Sequence, residues 1–208
     1  MCQIAAQYAP GVQGWTAPAG PSLISTPEAL EIAAAQIAAL DPPATCRGVI
    51  VAAFGDPGAG ALAHRLQCPV IGIGAAAARA AAGSVAGSAV GSAAGRAFAV
   101  VTTTPLLARR IDRLMQAHAG AGRYCGCFLT EGDPDALMLD PKALDAALLE
   151  GIAQAARAGA ACAIIGGGPL GQAAIRLAPQ SPLPLIQPIA EAAKAMRALL
   201  EDLSCSPS

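Results

Sequence analysis

The chain has 208 residues and a formal net charge of −1, with a pI near 6.1, which leaves no electrostatic case for nucleic acid or an anionic membrane as partner. Hydrophobic residues make up 54% but aromatics only 3%; alanine carries the excess and buries little area, so the core has to come from close helix–sheet contacts around a few Val, Ile and Leu. Mean hydropathy is +0.51, yet Gly, Pro, Arg or Asp interrupts the apolar runs before the roughly twenty residues a membrane span requires.

The length suits one large domain or two small lobes. No charged segment precedes an apolar run at the N-terminus, so a signal peptide is not expected. The seven cysteines (2, 46, 68, 125, 127, 162 and 205) have no framework spacing; free thiols and a cytoplasmic location are the expectation.

Residues 1–9 read as the end of an amphipathic helix, stopped by Pro10-Gly11. Val12–Thr16 suggests a weak strand, and a Pro/Gly loop leads to Thr26-Pro27-Glu28, a helix start with Thr26 as N-cap and Pro27 in the first turn. The helix Pro27–Leu40 ends at Asp41-Pro42-Pro43. The apolar run Val49–Ala53 reads as a buried strand that stops at Phe54-Gly55-Asp56-Pro57-Gly58, a tip followed by a helix over Pro57–Leu66. Strand Pro69–Ile73 ends in a second tip, Gly72-Ile73-Gly74-Ala75, and feeds an alanine helix.

Residues 83–95 then form a tandem repeat of Gly, Ser, Ala and Val. Glycine costs about 1 kcal/mol at each helical position, so the segment reads as an insertion. Afterwards the pattern restarts: strand Ala97–Thr102, tip Thr102-Thr103-Thr104-Pro105 and helix Pro105–Ala119, then strand Arg123–Leu129 and an acidic loop through Asp140. Helix Pro141–Ala158, strand Ala161–Ile165, tip Gly166-Gly167-Gly168-Pro169, a further helix, strand Pro184–Gln187 and helix Pro188–Leu203 complete the chain. This alternation predicts an α/β fold with parallel sheets and crossover helices, and the restart near residue 97 predicts two similar lobes.

Among candidate sites, Gly72-x-Gly74-x-x-Ala77 resembles a dinucleotide fingerprint but lacks the acid about twenty residues further on. The three glycines at 166–168 exceed what a turn requires and point to backbone N–H groups facing a ligand. Thr102, Thr103 and Thr104 offer hydroxyls, of which helix capping would use one. Cys125 and Cys127 fall on one face of a regular strand, but no further Cys or His stands at metal-ligand spacing, and no Ser-His-Asp or Cys-His arrangement involves His64 or His118.

In order, VIVAAFGDPG, PVIGIG, FAVVTTTP, GAACAIIGGGPLGQAA and PLPLIQPIAEAAKA resemble the aspartate/glutamate/hydantoin racemase superfamily, its hydantoin and allantoin racemase branch above all, from about Trp15 to Leu200. The resemblance implies two pseudo-symmetric parallel-sheet lobes, with helices on both faces and a site in the cleft between them. Lobe 1 is expected over 1–96 and 185–208, and lobe 2 over 97–184. It also implies cofactor-free proton transfer by two cysteines on opposite faces of a substrate Cα, with tip amides stabilising the developing charge.

Both cysteine positions are altered here: the resemblance places them at Ala53 and Gly167. The expected substrate-binding residues are Phe54, Gly55, Asp56, Gly74, Thr102, Thr103, Thr104, Gly166, Gly167 and Gly168, with Asp56 also expected to cap the turn before the Pro57 helix. The partner expected is a small carboxylate, amide or cyclic imide, such as an amino acid or a hydantoin-like derivative; self-association is left open. The chemistry is expected to have diverged, and the alternative is a non-catalytic ligand-binding protein on the same scaffold. Family members usually begin with a strand and an Asn-Pro-Asn-Ser/Thr loop, absent here, and the expectation is a true start further upstream.

Overall fold

Runs of Val and Ile that would be costly to leave in water form two parallel sheets. The computed structural model describes residues 1–20, 22–83 and 95–205, so most of the Gly/Ser/Ala repeat, 84–94, lies outside the described residues. In the smaller sheet Val49–Val51 (β1) pairs with Val70–Gly72 (β2), Val49 opposite Val70 and Val51 opposite Gly72. The larger sheet has four strands, ordered β4-β3-β5-β6. These are Ala97–Thr102 (β3), Arg123–Leu129 (β4), Cys162–Ile165 (β5) and Leu185–Ile186 (β6). Every residue of β5 and all but the first of β3 are buried, as expected of parallel strands covered on both faces.

The helices are Cys2–Ala6 (α1), Pro27–Ala38 (α2), Ala59–Arg65 (α3), Ile73–Ala82 (α4), Ala108–His118 (α5), Pro134–Leu139 (α6), Pro141–Arg157 (α7), Gly171–Leu177 (α8) and Pro188–Cys205 (α9). A 3-10 turn over Pro105–Leu107 precedes α5. Helix α2 starts as its sequence predicts, with the Thr26 side chain accepting from the Ala29 N–H at 3.2 Å.

The alanine excess has its explanation in α4, which is buried at every position but Arg79. It packs against both sheets and against α5 and α9. Methyl side chains let backbones approach closely, so many small contacts replace a few bulky ones. The carbonyls at its C-terminal end are met by the Arg96 guanidinium, which donates to Ala80 O at 3.0 Å and Ala81 O at 3.1 Å, a favourable place for a cation. One apolar cluster runs across both sheets, from Ile71 and Ile73 to Phe98, Ile164 and Ile189. A second lies on the other face of the larger sheet, with Leu144, Leu148 and Ile152 of α7 and Leu177 of α8 over Val101 and Ile165.

Several elements differ from the sequence expectation. Val12–Thr16 forms no strand; β1 pairs only with β2 among the described residues, so this segment has no ladder to join. The acidic loop contains α6, because the Asp133 carboxylate accepts from Ala136 N at 2.9 Å. Asp140 then starts α7 by accepting from Lys142 N and Ala143 N. Strand β6 hydrogen-bonds to β5, and α9 then crosses back to pack on α1, α4, β1 and β2.

Cys125 and Cys127 are also corrected. Gly126 takes φ +120° at a register shift opposite Phe98–Val100, which is the signature of a β-bulge. The extra residue reverses the alternation, so Cys127 packs on the first cluster and Cys125 on the second.

Candidate functional site

In the larger sheet β3 is followed by β4 on one side and by β5 on the other. The chain therefore reverses direction between β3 and β5, and the crevice beyond the carboxyl ends of two such strands is where open parallel sheets bind ligands. Thr102–Thr104 leave β3 there and Gly166–Gly168 leave β5 beside them. Gly166 N donates to Val101 O at 2.8 Å, and the fully buried Thr102 hydroxyl donates to Gly166 O at 2.6 Å.

That bond settles the proton order. A hydroxyl has one proton, and Thr102 gives its own to Gly166. The 3.1 Å contact between Thr102 Oγ1 and Thr104 Oγ1 therefore has Thr104 as donor, which leaves Thr104 an acceptor towards any ligand. Thr102→Val keeps the shape and removes the tie to Gly166. A loss of about 1–2 kcal/mol is expected, read as a lowered urea midpoint with unchanged slope.

The tip of β1 closes the other side. A cavity of about 330 Å³ lies between the tips, its floor formed by Ala52, Ala53, Phe54, Thr103, Thr104, Gly166, Gly167 and Gly168. Its outer wall is apolar, from Trp15, Leu23, Ile24, Leu107, Ile111, Met138 and Leu170, with Thr16 and Ser22 as further hydroxyls. Among the described lining residues none carries an ionisable side chain. The N–H groups of Ala53, Phe54, Gly167 and Gly168 have no backbone carbonyl partner among the described residues.

The glycines at 166–168 have their own reason to be glycine. None has a positive φ. A Cβ on Gly166 would lie 2.8 Å from Val100 Cγ1 and 2.9 Å from Phe54 Cε1, and one on Gly168 would lie 2.7 Å from Ala52 O. Close approach between tips, rather than turn geometry, excludes side chains at these two positions. Gly167 differs, since a Cβ there meets only the Leu170 side chain, at 3.0–3.1 Å.

Of the residues expected to bind substrate, Phe54, Thr103, Thr104, Gly166, Gly167 and Gly168 come together on this wall, as do the two expected cysteine positions, Ala53 and Gly167. Thr102 lies one layer behind it. Gly55, Asp56 and Gly74 are outside it: Gly55 takes φ +106° under Leu30, and Asp56 and Gly74 meet at the start of α4.

Asp56 does not cap the helix that follows it. Held at φ +52°, it turns its carboxylate onto another element and accepts from Gly74 N and Ala75 N, each at 2.7 Å. A carboxylate across two N–H groups of a helix's first turn is a strong local arrangement. Burial pushes the Asp56 pKa up from 3.8 to about 6, against the pull of the two N–H groups and the Arg79 charge. Gly72 is what admits it, because a Cβ there would lie 2.1 Å from the Asp56 carboxyl carbon. The glycines of the second tip thus make room for this clamp.

Sequence reasoning missed Trp15, Met138 and Ile111 on the outer wall. Trp15 is the only tryptophan and is half exposed, which was the one available signal. Cys162 is fully buried in β5, and no group of three or more potential metal ligands is found among the described residues. Nor does any described helix have the length and apolarity to cross a membrane.

Similar folds carry related activities in their names. An allantoin racemase from Klebsiella pneumoniae superposes with a TM-score of 0.77 at 25% identity, over 99% of this chain and 82% of that one. An allantoin racemase from Pseudomonas fluorescens gives 0.75 at 24%, over 99% and 86%. A glutamate racemase from Thermus thermophilus, in complex with β-chloro-D-alanine, gives 0.51 at 16%, over 100% and 78%. No curated protein matches the chain in sequence. Residues 2–196 match the family described as Asp/Glu/Hydantoin racemase, and the chain belongs to that family.

Proposed function

We propose that this protein binds a small carboxylate, amide or cyclic imide in the cleft between the strand tips, without a cofactor, and does not racemise it by the two-thiol route. The observation that carries this reading is the cavity wall. Ala53 and Gly167 both line it, and no ionisable side chain among the described residues joins them. A methyl group and a hydrogen atom cannot exchange a proton with a substrate Cα. Asp56, the nearest acid in sequence, commits both carboxylate oxygens to α4 and cannot act as the base from there.

Recognition is supported by what remains. Free tip N–H groups suit a carboxylate or carbonyl oxygen, and the Thr103 hydroxyl stands beside them. Thr104 accepts, which suits a ring or amide N–H. The apolar outer wall favours a ligand with few further charges, since nothing there would compensate a desolvated ammonium. The superposed structures are those of allantoin and glutamate racemases, so allantoin, hydantoins, glutamate and aspartate are the compounds to try.

The test has two arms. In deuterated buffer these compounds are expected to keep their Cα proton in the presence of the protein, while at least one raises its Tm. Protein-dependent exchange that disappears in Thr103→Ala would overturn the reading. The second arm restores the thiols: Gly167→Cys needs Leu170 to yield by a few tenths of an ångström, and Ala53→Cys extends an existing side chain into the cavity. The double variant is expected to fold cooperatively and gain Cα exchange that neither single variant shows.

A further inference from the structure

We propose that Cys46 and Cys68 form a reversible dithiol–disulfide site at the end of the smaller sheet remote from the cleft, oxidised by low-molecular-weight disulfides such as oxidised glutathione. The two cysteines lie just before β1 and β2. Those strands run side by side in parallel, and Val49 N donates to Pro69 O at 2.9 Å, so the segments that feed them are already held together. By that register Arg47 stands opposite Cys68, so Cys46 is one residue from the position facing Cys68, close enough to raise the Cys68 pKa. Cys46 Sγ donates to Gly48 O at 3.3 Å, which holds that thiol against the start of β1.

Neither thiol belongs to the core, both being partly exposed. Cys68 lines a shallow surface cleft of about 220 Å³ with Arg47, Gln67, Pro69 and Leu200, through which a small disulfide reaches it. Cys162 is buried, and Cys125 and Cys127 face opposite sides of their strand.

The chemistry balances without further reagents. The Cys68 thiolate attacks one sulfur of the small disulfide, forming a mixed disulfide and releasing one thiol. The Cys46 thiolate then attacks Cys68 Sγ, forming the protein disulfide and releasing the second thiol. Two protein thiols are oxidised and one small disulfide is reduced to two thiols. Burial and the neighbouring Cys46 raise the Cys68 pKa above that of an ordinary thiol, so the first step quickens as pH rises.

The product joins the starts of two strands and closes the chain between residues 46 and 68. Closing a loop of this size raises Tm by roughly 5–10 °C in a chain of this length. The full chain carrying Cys2→Ser, so that only one cysteine remains ahead of Arg47, is incubated with oxidised glutathione, alkylated and digested with trypsin. The expected result is a disulfide-linked pair of peptides, one ending at Arg47 and the other spanning 66–79, together with a Tm rise that reductant reverses. Adding Cys46→Ser should abolish both and leave glutathione on Cys68. Glutathione on Cys46 and Cys68 separately, without the linked pair, would overturn the proposal. So would alkylation of both thiols after prolonged oxidation.

Discussion

Replacing Gly72 by alanine is expected to cost at least about 3 kcal/mol of stability, among the largest effects of any single methyl group in this chain. The new Cβ would stand 2.1 Å from Asp56 Cγ and 2.3 Å from Oδ2, so the carboxylate must leave. Its two short bonds to Gly74 N and Ala75 N go with it, and the β1 tip loses its attachment to α4. Urea denaturation measures the loss, and a double-mutant cycle identifies its cause. Asp56→Gly removes the clashing side chain at a positive φ that glycine adopts freely. In that background Gly72→Ala should cost at least about 1 kcal/mol less than in the wild type. Additive effects would show that the clamp is not what Gly72 protects.

The same clamp sets a pH dependence. Asp56 has a folded pKa of about 6 against an ordinary 3.8, so between these values the folded state retains a proton that the unfolded state has released. Its contribution is therefore most favourable below about pH 4 and declines as pH rises through 6, by about 3 kcal/mol in all. Asp56→Asn has no such titration. The stability of the wild type relative to Asp56→Asn should fall by that order between pH 4 and pH 7, in paired urea curves. A difference that grows in favour of the wild type with rising pH would refute the sign.

The second large effect is on the cleft. Gly168→Ala places a Cβ 2.7 Å from Ala52 O, a backbone atom that cannot rotate away. The β1 and β5 tips must separate, which changes the spacing of every N–H group offered to a ligand. A loss of about 1–3 kcal/mol in stability is expected, with at least a tenfold weaker response to whichever compound stabilises the wild type. Gly167→Ala, one residue earlier in the same tip, is the control. It meets only the mobile end of Leu170, so its stability should stay within about 1 kcal/mol of wild type. Equal damage from both would mean that tip contact is not the controlling feature.

Much of this architecture is legible in the chain. Val and Ile runs bounded by glycine and proline mark the strands, and Thr26-Pro27 marks the start of α2 down to its capping bond. The three tips that meet at the cavity, at 53–54, 103–104 and 166–168, stand out as Gly- or Thr-rich stops after apolar runs. These features are local. Side-chain alternation, capping and the φ preferences of glycine and proline act between residues a few positions apart, so order along the chain is enough to read them.

What the chain order could not supply is which distant groups collide or pair. Asp56 looks like the cap of its own turn, but its partners lie 18 and 19 residues away, and only the side-by-side placement of β1 and β2 brings them within reach. Cys125 and Cys127 look like one face until a bulge at Gly126 separates them. The glycine runs at 72–74 and 166–168 look like ligand loops, but Gly72, Gly166 and Gly168 are small because another tip's carboxylate, aromatic ring or carbonyl occupies the space. Amino-acid order determined the alternating strands and helices, since these are properties of single residues and their neighbours. Only the tertiary structure decided that the cleft wall carries no ionisable side chain among the described residues and that Asp56 binds α4 instead, because excluded volume between segments far apart in sequence leaves no trace in local pattern.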